Sequence, residues 1–227
     1  LYKTGAKEIA SQEGHSLTFM AKFNEREGNS CHIHLSLADR SGSALFFDSE
    51  TGEDSGHAMS RLFSAFLAGM LATVEDFTLL LAPNVNSYKR FAPGSFAPTA
   101  IAWGRDNRTC AFRVVGHGPS LRVECRIPGG DVNPYLGLAA LVAGGLHGVE
   151  ESLELEAPFP GNAYAAELPR LPAGLADAAA RFEQSELARL AFGTEVVDHY
   201  VNMARTELAA FGTAVTDWER YRGFERL

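Results

Sequence analysis

The sequence predicts an α+β domain, and three observations lead there. Four short stretches (17–23, 31–37, 109–115 and 121–127) alternate apolar and polar residues with the period of a strand, whereas 57–80, 133–150, 173–190 and 194–211 space their apolar residues as helices do. The third is chemical. Seven cations fall between Lys89 and Arg126 against two acids, Asp106 and Glu124, in a chain whose net charge is -8. Trp103, Phe112, Val114, Val115, Leu121, Val123 and Ile127 interleave with those cations, so the run is not a solvated charge face. Arginine on apolar strands generally holds a planar anion; a set of structural ion pairs is the plain alternative.

In chain order, residues 1–14 read as a helix with Leu1, Ala6, Ile9 and Ala10 on one side, ending near Gly14. The 17–23 stretch follows as a strand, then a polar loop over 25–30. In 31–37 the alternation puts His32, His34 and Ser36 on one face and Cys31, Ile33, Leu35 and Leu37 on the other. An Asp/Ser/Gly loop runs through Gly56, and 57–80 reads as a helix of about five or six turns. Residues 83–98 are a Pro- and Gly-rich loop that leads into the 109–115 and 121–127 strands. Asn133 and Pro134 are the expected cap and first-turn residues of the next helix. Beyond a Pro-rich stretch (158–172) lie two helices, 173–190 and 194–211, and a charged surface helix at 218–227. No repeat or low-complexity tract is present.

At 227 residues and 46% hydrophobic content the chain can build one large core or two small ones. No apolar run reads as long enough for a membrane span, and no signal peptide is evident. An odd number of cysteines (Cys31, Cys110, Cys125) in strand-like stretches implies reduced thiols and a cytoplasmic setting. The acidic balance argues against a nucleic-acid partner. Because the sequence opens on Leu1 rather than Met, it reads as a piece of something longer.

His32 and His34 form an i, i+2 pair suited to a metal, or to one metal ligand and one ligand contact; partnered polar residues in a sheet are the plain alternative. Arg122, Glu124 and Arg126 line one strand face as cation, carboxylate, cation. Glu124 is then either the partner of two arginines or a metal ligand whose neighbours hold the metal's anionic companions. Metal plus several arginines is the equipment of phosphoryl transfer, and no Gly-rich lysine loop of the P-loop kind is present. A two-histidine, one-carboxylate iron site is the other metal reading, but it leaves the arginines without a task.

NSYKR at 86–90, PG at 93–94, AP at 97–98, NR at 107–108, Arg113, RVECR at 122–126 and NPYL at 133–136 resemble the glutamine synthetase family, as do TFMAKF at 18–23 and GNSCHIHLSL at 28–37. The resemblance covers roughly residues 1–150 and continues more weakly to the C-terminus. It implies a curved antiparallel sheet flanked by helices and shaped as a funnel, with ATP entering one end, glutamate the other, and Mg²⁺ or Mn²⁺ between. By that resemblance His32 and Glu124 are metal ligands. His34, Ser36 and Arg122 lie along the nucleotide, and Arg108 and Arg113 face the transferred phosphoryl group. Arg90, Arg126 and the backbone at Gly28 hold glutamate. It further implies a large homo-oligomeric ring, and that 1–227 is a C-terminal catalytic domain whose small N-terminal β domain and remaining metal carboxylates lie upstream, so that the piece alone is expected to be inactive.

Two positions depart from the family. Ammonia-using members carry a glutamate two residues beyond the Pro-Gly of the flap; here Phe96 stands there. An aromatic side chain closes a lid and packs on a hydrocarbon body, but it takes no proton and holds no small cation by charge; a simple loop anchor is the plain alternative for Phe96. A lysine often placed near the phosphates falls on Pro119, with His117 as a possible substitute. The expectation is therefore an ATP-dependent ligase that makes a γ-glutamyl amide from glutamate and an organic amine through γ-glutamyl phosphate. The alternatives are an ammonia-using glutamine synthetase and a non-catalytic relative that binds ligands or subunits.

Overall fold

The computed structural model describes residues 1–48 and 58–226. Its elements run α1 (Tyr2–Gln12), β1 (Ile33–Leu35), α2 (Arg61–Leu81), β2 (Trp103–Arg105), β3 (Phe112–Val115), β4 (Arg122–Cys125), α3 (Pro134–Glu150), α4 (Leu175–Gln184), α5 (Glu186–Phe192), α6 (Thr194–Gly212) and α7 (Asp217–Arg226). Short 3₁₀ turns occupy Val85–Arg90 and Gly118–Ser120. The strands form one sheet in the order β1-β4-β3-β2. β1, β4 and β3 are antiparallel neighbours as expected, but β2 runs parallel to β3, so the sheet is mixed.

Pairing sorts the side chains of the strands into two faces. Ile33, Cys125 and Phe112 stand side by side across three strands, as do Leu35, Val123 and Val114, and all six are buried. They join one hydrophobic core with α2, α3 and α4. The row between them is His34, Glu124 and Arg113, and it faces the other way. The period-two pattern thus decides which residues are core and which are chemistry.

α2 and α3 pack through glycine. A Cβ on Gly148 would sit 2.1 Å from the Ala65 carbonyl, and one on Gly69 would sit 2.2 Å from the Gly144 carbonyl. The expectation that no apolar run is long enough for a membrane span is corrected by α2, whose 21 residues and mean hydropathy of 1.5 meet that test by length and composition. Most of the helix is buried among α3, α4 and the sheet, where a core helix needs that composition.

Other differences have local causes. Residues 17–23 form no strand; the main chain of Lys22 instead exchanges two hydrogen bonds with the Asn86 side-chain amide, at 2.8 and 2.9 Å. The helix expected at 57–80 begins only at Arg61, where the Ser60 hydroxyl accepts from Phe63 N; His57 and the end of the loop before it lie outside the described residues. The helix read at 173–190 is divided at Ser185, whose hydroxyl accepts from Ala188 N and starts α5. Part of the 83–98 loop is the 3₁₀ turn Val85–Arg90. β2 escaped notice because three residues with a central glycine carry almost no pattern. Asn133 caps α3 as expected, accepting from Tyr135 N.

Candidate active site

Glu124 is the centre of the polar face. It is 3% exposed, and an ionised carboxylate that far from water requires partners. His32 Nδ1 lies 3.0 Å from Oε1, Arg126 Nη1 is 3.0 Å from both oxygens, and Arg113 Nη1 is 3.1 Å from Oε2. His34 Nε2 stands 3.6 Å from Oε1. Burial pushes the Glu124 carboxyl toward its neutral form, but the hydrogen bonds from His32, Arg126 and Arg113 outweigh it and hold the group well below the ordinary carboxylate range.

Each guanidinium has a second attachment. Arg113 also pairs with Asp106; burial alone would lower its pKa, and the bonds to Asp106 and Glu124 raise it. Asp106 sits at φ 50° in the turn after β2, and the Arg113 bond lowers its own pKa. Arg126 is 4% exposed and donates to the carbonyls of Arg108 (Nε, 3.2 Å) and Phe96 (Nη2, 3.2 Å). Arg122 donates from Nε to His34 Nδ1 at 3.3 Å and from Nη1 to the Ser120 carbonyl at 3.1 Å. Burial lowers the His34 pKa, with nearby Glu124 partly opposing it. Pro119 lies in the one-turn helix Gly118–Ser120, whose last residue, Ser120, offers its carbonyl to Arg122.

Arg90 stands apart from this cluster. It is 2% exposed, and its Nη1 donates to Ser30 Oγ at 3.0 Å while Nη2 donates to the carbonyls of Ile127 and Arg126. Burial lowers its pKa to about 10, with Asp131 opposing. A Cβ on Gly28 would lie 2.9 Å from Arg90 Cγ, so that loop must be glycine to lie against the arginine. Arg108 and Ser36 are exposed at the edge of the face. Phe96, 57% exposed with φ 57°, projects from the flap.

Sequence reasoning missed Asp131, whose Oδ2 accepts from Asn84 Nδ2 (2.9 Å) and Ser87 Oγ (2.6 Å) and fixes the turn that carries Arg90. It also missed the contact from the Tyr164 hydroxyl to the Ala97 carbonyl at 2.9 Å. Neither leaves a local signal, because both partners are far apart in the chain. The three cysteines are free thiols, and burial pushes Cys110 up to about 11 and Cys125 up to about 12.

The donors fit a divalent cation in part. An imidazole nitrogen and a carboxylate oxygen 3.0 Å apart have the spacing of adjacent ligands on a six-coordinate ion with bonds of about 2.1 Å. His32 Nε2 is buried and without a hydrogen-bond partner among the described residues. Those residues contain no group of three or more His, Cys, Asp or Glu side chains arranged to hold a metal.

The sheet's polar face thus gathers guanidinium groups and imidazoles around one desolvated carboxylate. A family model described as glutamine synthetase, catalytic domain, matches residues 1–222. The chain is 63% identical over 227 residues to the gamma-glutamylethanolamide synthetase GlnA4 of Streptomyces coelicolor, covering all of this chain and 48% of that protein. It is 43% identical to the glutamate–isopropylamine ligase of a Pseudomonas species, covering 97% of this chain and 48% of that one. The solved structure titled GmaS/ADP complex superposes with a TM-score of 0.87 at 33% identity, over 99% of this chain and 53% of that chain. The chain belongs to the glutamine synthetase family and spans about half the length of the curated relatives it matches. Enzymes of this family use ATP and divalent metals.

Proposed function

We propose that the protein carrying this chain is an ATP-dependent ligase that joins the γ-carboxylate of glutamate to an organic amine through γ-glutamyl phosphate. The observation that carries the choice of amine is Phe96. It projects from a flap whose carbonyl is held by Arg126, the guanidinium that also binds Glu124. A residue with no basic atom therefore sits where ammonia-using members have a carboxylate. Relatives named for an ethanolamide product and for ligation of isopropylamine support a small organic amine.

The roles are those that the family resemblance implies. His32 and Glu124 are the ligands this chain offers to Mg²⁺ or Mn²⁺, which when bound neutralises phosphate charge. His34, Ser36 and Arg122 line the nucleotide side. Arg113 and Arg108 stabilise the phosphoryl group as it passes to glutamate; Arg113, already held by Asp106 and Glu124, needs little reorganisation as charge develops. Arg126 and the Gly28 backbone hold the glutamate end, while Arg90, buried and bound to main-chain carbonyls, supports the Gly28 loop from behind. A carboxylate has no good leaving group until it is phosphorylated; the amine then displaces phosphate. Free thiols support a cytoplasmic setting, and exposed Trp218, Tyr221 and Phe224 on α7 support a homo-oligomer. Catalysis is proposed of the full-length protein, because the chain spans about half the length of the relatives it matches.

Glutamate labelled with ¹⁸O in its γ-carboxylate tests the route. Transfer of one ¹⁸O into inorganic phosphate for each amide formed is expected. Amide formation with unlabelled phosphate would rule out the acyl phosphate.

A further inference from the structure

Phe96 is aimed by contacts outside the flap. Its own conformation is unfavourable, since a non-glycine residue at φ 57° persists only where surrounding structure holds it. Two consecutive flap carbonyls take long-range hydrogen bonds: Phe96 O from Arg126 Nη2 at 3.2 Å, and Ala97 O from the Tyr164 hydroxyl at 2.9 Å. Within the flap, Ser95 Oγ donates to the Ala92 carbonyl at 2.6 Å, while Ala97 N donates to Ser95 Oγ at 3.2 Å. Ala97 is 2% exposed, so its carbonyl is poorly placed to exchange the tyrosine for water.

Tyr164 is itself anchored to the phosphoryl side of the site. Asn162 Oδ1 accepts from Tyr164 N at 3.1 Å, and Ala163 N donates to Thr109 Oγ1 at 3.0 Å. Asn107 Nδ2 donates to the carbonyls of Phe159 (3.0 Å) and Gly161 (2.9 Å). Asn107 and Thr109 flank Arg108. A continuous set of hydrogen bonds thus runs from the Arg108 turn through the 159–164 loop to the flap. Burial raises the pKa of the Tyr164 phenol, which keeps it a neutral donor.

We propose that Tyr164 is a positioning residue, and that its hydroxyl sets the flap so that Phe96 covers the acyl phosphate until the amine arrives. The inference rests on the ligase reading above. With the flap loosened, water competes with the amine for the acyl phosphate, giving glutamate, phosphate and ADP without amide. The failure is therefore one of coupling, which loss of folding would not mimic.

The test is Tyr164→Phe in the full-length protein, which keeps the ring and removes only the donor. KM for the amine should rise about 3- to 10-fold, as loss of one neutral hydrogen bond implies. ADP released per amide should exceed that of wild type, while KM for ATP and the thermal midpoint stay unchanged. Equal coupling and amine KM in variant and wild type would overturn the inference. So would a parallel rise of the KM values for amine, ATP and glutamate together with a lowered thermal midpoint. Limited proteolysis supplies an arm independent of turnover: faster cleavage within 92–98 in the variant supports the positioning role, and equal cleavage overturns it. If wild type makes no amide with any amine, the ligase reading fails while the proteolysis arm still decides what Tyr164 does.

Discussion

Replacing Glu124 by Gln keeps the volume and removes the charge, and the structure sets the expected cost. The carboxylate is 3% exposed and serves three charged or imidazole donors. Arg113 retains Asp106 as a partner. Arg126, 5% exposed at its side chain, loses its ion-pair partner while remaining buried. Breaking a buried pair from one side costs about 3–5 kcal/mol, and the surviving Arg113–Asp106 pair argues for the lower end, about 3 kcal/mol. Urea unfolding of wild type and Glu124→Gln at pH 7 measures it directly. The pH dependence has a definite sign. Glu124 titrates lower when folded than when unfolded, so its contribution is fully present above about pH 4.3 and fades as the pH falls through the folded value. The gap between variant and wild type should therefore shrink below about pH 4.3. A difference within about 0.5 kcal/mol at pH 7, the range of ordinary surface substitutions, would refute the claim that Glu124 is the charge centre of this face. A gap that ignores pH would refute it equally.

Two further outcomes follow. Phe96→Glu in the full-length protein restores a carboxylate to the flap. One charge-assisted hydrogen bond is worth about 1.5–3 kcal/mol, so the kcat/KM preference for organic amine over ammonium should fall at least about 10-fold. An unchanged preference would separate Phe96 from amine selection. Gly148→Ala places a Cβ 2.1 Å from the Ala65 carbonyl and 2.6 Å from Gly69 Cα, backbone atoms that cannot turn aside. It should destabilise by about 1–3 kcal/mol in thermal or urea unfolding, and a neutral result would contradict the close α2–α3 packing.

How much was legible depends on how local the signal was. The 31–37 and 121–127 stretches announce their faces by strict alternation, and pairing His34 with Glu124 and Arg113 only completes what the period had already sorted. Asn133–Pro134 marks the start of α3 because capping is a matter of adjacent residues. Lys22–Asn86, Ser87–Asp131 and Tyr164–Ala97 are contacts between residues distant in the chain, with no periodicity to reveal them. The first of these turned an expected strand into an irregular segment. Arg90 looked like its neighbours in the cation run, yet it lies on the buried side, bound to main-chain carbonyls, because its turn is fixed by Asp131 and not by strand alternation. The family resemblance supplied what spacing alone left open, above all the weight given to Phe96.

The most direct test of the central claim is an amine panel on the full-length protein with ATP and glutamate, scoring both ADP and amide. Ammonium, ethanolamine, isopropylamine and putrescine would be compared by kcat/KM. At least one organic amine should exceed ammonium, with amide formed in step with ADP; ammonium equal to or better than every organic amine would contradict the reading.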